Sequence, residues 1–466
     1  MRARRRSEGS ARTGTTRILA ATVLVSLSAA LPIRIAAGRG RTPDEPRPNV
    51  IVIVTDDQQY RTLSAMPTVS TRLVGQGIRF TNSYVVNPTC CPSRASILTG
   101  NYAHTTGVYS NTTGFQQFDD SSTIATALDA AGYDTSLVGK YLNGYTGTYV
   151  PPGWDHWVGK TTGGGVYFNY HLSIDGHLHH YGTKPRDYVT DVLSREAVSF
   201  VRGATDPFFL YFAPNAPHTP AISAPRYKGR FAHLHRFRPP SYDERDVSDK
   251  PDWIRRRPLL SKRKEHVIDT FRRKQYRSLL PVDDAVKALL DVLEASGRLD
   301  DTMIVFTSDN GFLWGQHRLE GKAVPYEESI RVPFVIRYGA LGTEPRTVPE
   351  LALNIDIAPT LAELGGVVSY DAEGRSLVPL LSRPPPSGWR TDFLVEHRRH
   401  QTMPAYCELH TTSRVFVLYA DGEREFYNLD RDPYERENIA PHVDTSAYRH
   451  RLSELCDPPP PGMPRP

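Results

Sequence analysis

The run Cys90-Cys91-Pro92-Ser93-Arg94-Ala95-Ser96-Ile97-Leu98-Thr99-Gly100 holds residue types that could do chemistry. It follows the turn-like Asn87-Pro88-Thr89 and enters an apolar-periodic segment. Proline favours the first position of a helix, where its missing N–H costs nothing, so a helix is predicted to begin at Pro92. Cys90 then lies at the mouth of a helix N-terminus, where free N–H groups and the helix dipole favour an anion. Arg94, about one turn on, can fork its guanidinium onto a tetrahedral oxyanion at the same place. A nucleophile-like side chain, a helix mouth and an arginine within one turn point to sulfate or phosphate ester chemistry. A buried structural cysteine pair is the alternative that these types leave open.

Two carboxylate pairs come next. Asn49 to Thr55 is a β-branched run that reads as a strand buried on both faces of a parallel sheet, and it stops abruptly at Asp56-Asp57. Thr302 to Thr307 reads the same way and stops at Ser308-Asp309-Asn310-Gly311. Open α/β sheets place ligands at the C-terminal ends of their strands, and adjacent carboxylates there repel unless a cation joins them. The repetition at two well-separated strands favours a hard cation over a chance acidic turn. Pro207 to Ala213 is a further strand, leading to His218 among prolines; Tyr133 to Val138 leads to Gly139-Lys140; Gly321-Lys322 lies in the loop after Asp309.

The elements that must position these groups follow from periodicity. Helices are expected over 67–75, from a cap at Ser121–Thr123 through Ala131, over 187–201, around Val282–Leu293 and over 354–364. Residues 144–166 read as a loop, and 167–181 as a hairpin turning at Asp175-Gly176. His177, His179 and His180 on it suit a solvated hairpin better than a metal site. The basic runs at 255–257 and 262–264 read as a solvated charged face. After Pro384–Gly388, strands are expected at 393–396, 414–419 and 425–428.

The chain has 466 residues and a formal net charge of +5. Residues 1–42 hold nine arginines and one glutamate; removing their +8 from +5 leaves −3 for residues 43–466. Global charge therefore gives no support for nucleic-acid binding. Arg2–Arg17, the mostly apolar Ile18–Ile33 and the small residues Ala36-Ala37-Gly38 read as a positive, apolar and cleavable export signal. The apolar run is short and interrupted for an anchor, so no stable membrane insertion is expected after cleavage. The expected organisation is an export signal over 1–37 and a linker over 38–47. A catalytic domain over 48–383, a C-terminal subdomain over 384–456 and a disordered proline-rich tail over 457–466 follow.

Asp56-Asp57, Cys90 to Gly100, Gly139-Lys140, Pro217-His218, Ser308 to Gly311, Gly321-Lys322 and Tyr427 to Pro433 resemble, in this order, the blocks of the type I sulfatases. Within that family, residues 90–100 and Lys140-Tyr141-Leu142-Asn143 are most similar to the N-acetylglucosamine-6-sulfatases, with weaker likeness at 170–174 and 247–251. The resemblance implies an α/β fold of the alkaline phosphatase and sulfatase kind: a large mixed, mostly parallel sheet between helices, then a smaller C-terminal antiparallel sheet. It implies that Cys90 is oxidised to Cα-formylglycine (3-oxoalanine) by a formylglycine-generating enzyme, the hydrated aldehyde being the nucleophile, while Cys91 occupies a variable position. One Ca2+ per chain would be held by Asp56, Asp57, Asp309 and Asn310 together with residue 90. Arg94, Lys140 and Lys322 would bind the sulfate and spread its developing charge, and His218 would protonate the departing alcohol. Many members carry a histidine where this chain has Leu142; Asn143 beside it could offer the substrate a hydrogen bond, though not a base.

If Cys90 is modified, Cys407 and Cys456 are the natural disulfide pair in an exported protein; two free thiols remain the alternative. The implied substrate is a sulfated sugar, 6-O-sulfated N-acetylglucosamine first, chosen by the loops at 144–181 and 222–266. Competing classes are a broad arylsulfatase, a metal phosphoesterase of the same superfamily, a thiol enzyme using unmodified Cys90, and a carbohydrate-binding module without catalysis.

Overall fold

The strand Asn49–Thr55 is buried along its whole length and is the centre of the molecule. Side chains alternate across a strand. Val50, Val52 and Val54 therefore enter one core, beside the helices Cys90–Thr99, Ile124–Ala130 and Ile357–Gly365. Ile51 and Ile53 enter the other, beside Val189–Gly203 and Lys262–Ala295. A strand apolar on both faces needs helices on both faces, and the sheet is layered accordingly.

The protein is described here by a computed structural model covering residues 47–112, 114–161, 165–381 and 387–466. Ten strands form the main sheet, in the order Arg346–Leu353, Ile78–Tyr84, Phe334–Tyr338, Thr302–Ser308, Asn49–Thr55, Phe208–Ala213, Asp134–Gly139, His156–Lys160, Tyr170–Ile174 and His177–Tyr181. From Thr302–Ser308 to His156–Lys160 the neighbours run parallel, and antiparallel pairs flank this block on both sides. The mixed, mostly parallel α/β sheet expected from the sequence is what forms.

A second sheet of four antiparallel strands follows: Asp392–His397, Tyr406–Thr411, Arg414–Tyr419 and Arg424–Asn428. Phe393, Val395, Tyr406, Val417 and Tyr419 face Tyr84, Tyr326 and Leu353 of the main body. Leu394, Cys407, Leu409, Phe416 and Leu418 face Leu452 of the helix Ser446–Leu455. A Cys407–Cys456 disulfide ties that helix to the sheet.

Several expectations are corrected. The helix bearing Cys90 starts at Cys90 itself, with Thr89 at the N-cap position, which puts Pro92 at its third position. Proline is tolerated there because the first turn has unbonded N–H groups in any case. The long helix starts at Lys262 and continues through Pro281, so the basic run at 262–264 is its exposed first turn. Strands at 156–160, 346–353 and 406–411 lack a β-branched alternation that would announce them. The second contains Pro349 at a sheet edge and shifts register between Val348 and Leu351. The third buries Glu408 and His410. The tail from Asp457, expected to be disordered, turns at Pro460–Met463 and buries Met463 beside Cys456. The expected export signal, the linker up to residue 46 and the boundary at 384 lie outside the described residues.

Candidate active site

Four adjacent parallel strands deliver the polar groups at their C-terminal ends. Thr55 is in register with Ser308, so Asp56-Asp57 and Asp309-Asn310 emerge side by side. Gly139 is in register with Ala213, which brings Lys140 and the loop to His218 alongside. Gly139 has a φ of +127°, and a Cβ there would lie 2.1 Å from the Ala213 carbonyl oxygen, so only glycine lets Lys140 start from this point. Asp57 has a φ of 66°, a left-handed conformation that aspartate tolerates better than most residues.

The groups close on one another within this corner. Asp309 Oδ1 accepts from the Asp57 N–H at 3.1 Å, and its Oδ2 pairs with Arg94 Nε at 2.8 Å. Arg94 Nη1 donates to the Lys140 carbonyl at 2.9 Å, while its buried Nη2 has no partner among the described residues. Lys140 Nζ lies 2.7 Å from Asp56 Oδ2, and Cys90 Sγ 3.4 Å from Asp56 Oδ1. Lys322 donates to Asp57, to Cys90 Sγ at 2.6 Å and to Asn310 Oδ1 at 3.2 Å. Asn310 Nδ2 reaches Asp57 Oδ1 at 2.8 Å. His218 Nε2 stands 3.8 Å from Asp57 Oδ2, and its ring is held by Nδ1 at 2.8 Å from the Thr219 carbonyl.

Three buried carboxylates thus face two buried cations, Arg94 and Lys140, and the partly exposed Lys322. Burial alone would raise the Asp56 carboxyl; Lys140 and His218 outweigh it and hold it well below the ordinary range. Asp57 is likewise lowered, with Lys322 and His218 overcoming burial. Burial disfavours charge on Lys140 and Lys322, yet Asp56 and Asp57 respectively keep both firmly protonated. Burial pushes the Cys90 thiol up to about 12 despite both lysines, so unmodified it is protonated at neutral pH. That argues against Cys90 acting as a thiolate.

Ligand atoms of Asp56, Asp57, Cys90 and His218 all lie within 4.8 Å of one another. With Asp309 and Asn310 alongside, the donor set is rich in hard oxygens and fits a divalent cation such as Ca2+. The sequence-derived residues Asp56, Asp57, Cys90, Arg94, Lys140, His218, Asp309, Asn310 and Lys322 therefore meet in one place. Asn143 stands apart: its N–H donates to Cys91 Sγ at 2.9 Å, and its side chain also lies against Cys91. Leu142 is buried in the adjacent apolar core.

Sequence reasoning missed a contribution from the small sheet. Thr89, directly before Cys90, shares a 2.8 Å hydrogen bond with His397 Nε2, and Asn87 donates to the Glu396 carbonyl at 2.7 Å. Only the end of the strand expected at 393–396 pointed toward these residues.

Residues 48–367 match the sulfatase family and residues 315–457 match the N-sulphoglucosamine sulphohydrolase C-terminal family. The chain belongs to the sulfatase family and is a sulfatase enzyme. It is 33% identical over 480 residues to human N-acetylglucosamine-6-sulfatase, spanning 89% of this chain and 85% of the relative. It is 37% identical over 374 residues to the Drosophila melanogaster extracellular sulfatase SULF-1 homolog, but spans 33% of that longer protein against 76% of its own length. A solved structure in complex with its substrate D-glucosamine-2-N,6-O-disulfate superposes with a TM-score of 0.78 at 26% identity, covering 88% of this chain and 97% of that one. The phosphonate monoester hydrolase of Agrobacterium radiobacter, at 22% identity and a TM-score of 0.69, shares the fold, covering 88% of this chain and 94% of that one.

Proposed function

We propose that this protein is an exported, formylglycine-dependent sulfatase that removes the 6-O-sulfate of N-acetylglucosamine from a sulfated glycan. The observation that carries the reading is the position of Cys90: fully buried at a helix start, with Lys322 and Asp56 on its Sγ and Arg94 one turn behind. The names of the human relative and of the solved complex support the sugar. The extracellular relatives and the leader at 1–37 support export. Among the described residues no helix is long and apolar enough to cross a membrane.

The hydrated aldehyde at position 90 would supply one hydroxyl to attack sulfur and a second whose deprotonation releases sulfate and restores the aldehyde. A Ca2+ held by Asp56, Asp57, Asp309 and Asn310 would draw charge from the sulfuryl oxygens and ease deprotonation of the attacking hydroxyl. Arg94 Nη2, without a partner among the described residues, is available to a sulfuryl oxygen, and Lys140 and Lys322 supply the other positive charges of the clamp. His218, oriented by its Nδ1 contact, keeps Nε2 to hand a proton to the departing sugar oxygen. Asn143, held against Cys91, has no part in this scheme.

Mass analysis of the peptide bearing Cys90, made on active protein, tests the reading together with kcat/KM across 6-sulfated N-acetylglucosamine, aryl sulfates and phosphate esters. An intact thiol in fully active protein would refute the nucleophile. Turnover of aryl sulfates without any 6-sulfated sugar would refute the substrate alone, and a preference for phosphate esters would refute the class.

A further inference from the structure

Beyond His397 the chain leaves the catalytic corner by a tight turn in which the His400 N–H bonds the Met403 carbonyl at 3.1 Å and the Met403 N–H returns at 2.9 Å. The turn ends beside a groove of about 760 Å3, whose wall includes Trp253, Arg257, Arg399, Gln401, Thr402 and Asp421. Because His397 is hydrogen-bonded to the residue before Cys90, and two residues of chain span at most about 7 Å, Arg399 starts close to the catalytic corner. His400, next to Arg399, has its protonation disfavoured by partial desolvation and then by the charge of Lys322. Groove and catalytic corner are therefore neighbours.

The groove has cations to offer. Arg256 and Asp252, which also face it, pair with each other. Asp421 turns one oxygen to the Glu423 N–H. Among the described residues neither Arg257 nor Arg399 has a carboxylate partner; Arg257 lies over Trp253 at 5.6 Å with its Nε buried and unbonded. A half-buried guanidinium without an anion is costly unless a ligand supplies one. Trp253, Gln401 and Thr402 add an aromatic surface and neutral hydrogen-bonding groups, which suit a sugar.

We propose that this groove holds the anionic continuation of the substrate, so that the protein acts on a sulfated oligosaccharide whose further sulfate or carboxylate groups are bound by Arg257 and Arg399. The assignment rests on the sulfatase reading above and adds to it the groove and the residues that hold the rest of the glycan.

Steady-state kinetics on 6-O-sulfated N-acetylglucosamine and on a sulfated hexasaccharide ending in the same sugar separate the two. The native protein should favour the hexasaccharide by about tenfold in kcat/KM, roughly one charge-assisted contact's worth. Arg399→Ala and Arg257→Gln should each raise KM for the hexasaccharide about five- to tenfold with kcat unchanged, and leave the monosaccharide alone. The advantage should shrink as salt rises. Equal kcat/KM for both substrates, or an equal loss on both in the variants, overturns the groove. Binding tests it without turnover: calorimetric titration of the hexasaccharide into the Cys90→Ser chain should weaken by the same factor on adding Arg399→Ala, and unchanged binding overturns it. Intact, arginine-dependent binding in a protein that hydrolyses no sulfate ester would refute the hydrolase reading and leave the groove standing.

Discussion

Removing one charge from the three-against-three balance around Cys90 is the sharpest perturbation available. Lys322→Ala withdraws a donor to Asp57, Asn310 and Cys90 at once. It is expected to lower kcat/KM by about 10²–10³-fold, the usual cost of losing a donor to developing charge, and by a similar factor on sugar and aryl sulfates. A loss confined to one substrate would make Lys322 a specificity residue. Asn143→Ala is expected to leave kcat/KM within about twofold, because Asn143 supports Cys91 and touches none of the charged groups. Substrate assays on the two variants side by side check both. The charged residues themselves were legible in the sequence, since Asp56-Asp57 and Asp309-Asn310 end two runs that could only be buried strands. Their pairing was not legible. That Arg94 directs its Nε to Asp309, and that position 143 turns to Cys91, depends on side-chain directions which spacing along the chain does not encode.

At the scale of elements, the short helix Ala103–Thr106 ties the end of the catalytic helix to the small sheet. His104 reaches Glu396 by Nδ1 at 2.9 Å and Glu373 by Nε2 at 3.1 Å. Burial alone would lower its pKa, but the two carboxylates outweigh that and raise it to about 10. A folded pKa above the unfolded value near 6.5 means the imidazolium stabilises fully below about pH 6.5 and loses its contribution as pH rises through 10. His104→Gln should therefore lower stability by about 2 kcal/mol at pH 6 and by much less at pH 10.5, as read from urea midpoints across that range. A pH-independent difference would mean that His104 acts by packing alone. The central parallel strands at 49–55, 134–139, 208–213 and 302–308 were readable because burial on two faces leaves continuous apolar runs. The strand Tyr406–Thr411 was not, because Glu408 and His410 are buried inside it, whereas charged residues ordinarily mark a surface. His410 pairs with Glu327 of the main body at 3.0 Å, a partner distant in the chain.

Over the whole molecule, the Cys407–Cys456 bridge and the buried Met463 make the segment after Asn428 a fastening for the small sheet. A bridge across a sequence separation of 49 is worth roughly 3–4 kcal/mol on the chain-entropy model. Reduction should lower the urea midpoint without an immediate loss of kcat, because the bridge lies on the sheet's outer face, whereas Glu396 and His397 of the strand Asp392–His397 hold the catalytic helix start. An instant loss of kcat on reduction would show that the small sheet must be clamped for catalysis itself. A tail of prolines looks disordered in the sequence because its anchoring residue is a single methionine with no periodic companion.

If Cys90 is oxidised as proposed above, its complete burial imposes an order of events on biosynthesis. A modifying enzyme must grip its target strand, and residues 90–99 are all enclosed once they coil into a helix. On that mechanism oxidation has to come first and folding second, which makes maturation a clock rather than a switch. Folded chain made without the modifying enzyme should stay inert however long that enzyme is supplied afterwards. The same chain, unfolded and then refolded with the enzyme present, should gain activity in proportion to the aldehyde found at residue 90. Activation of the folded chain at an equal rate would mean that the helix opens far more readily than its packing implies.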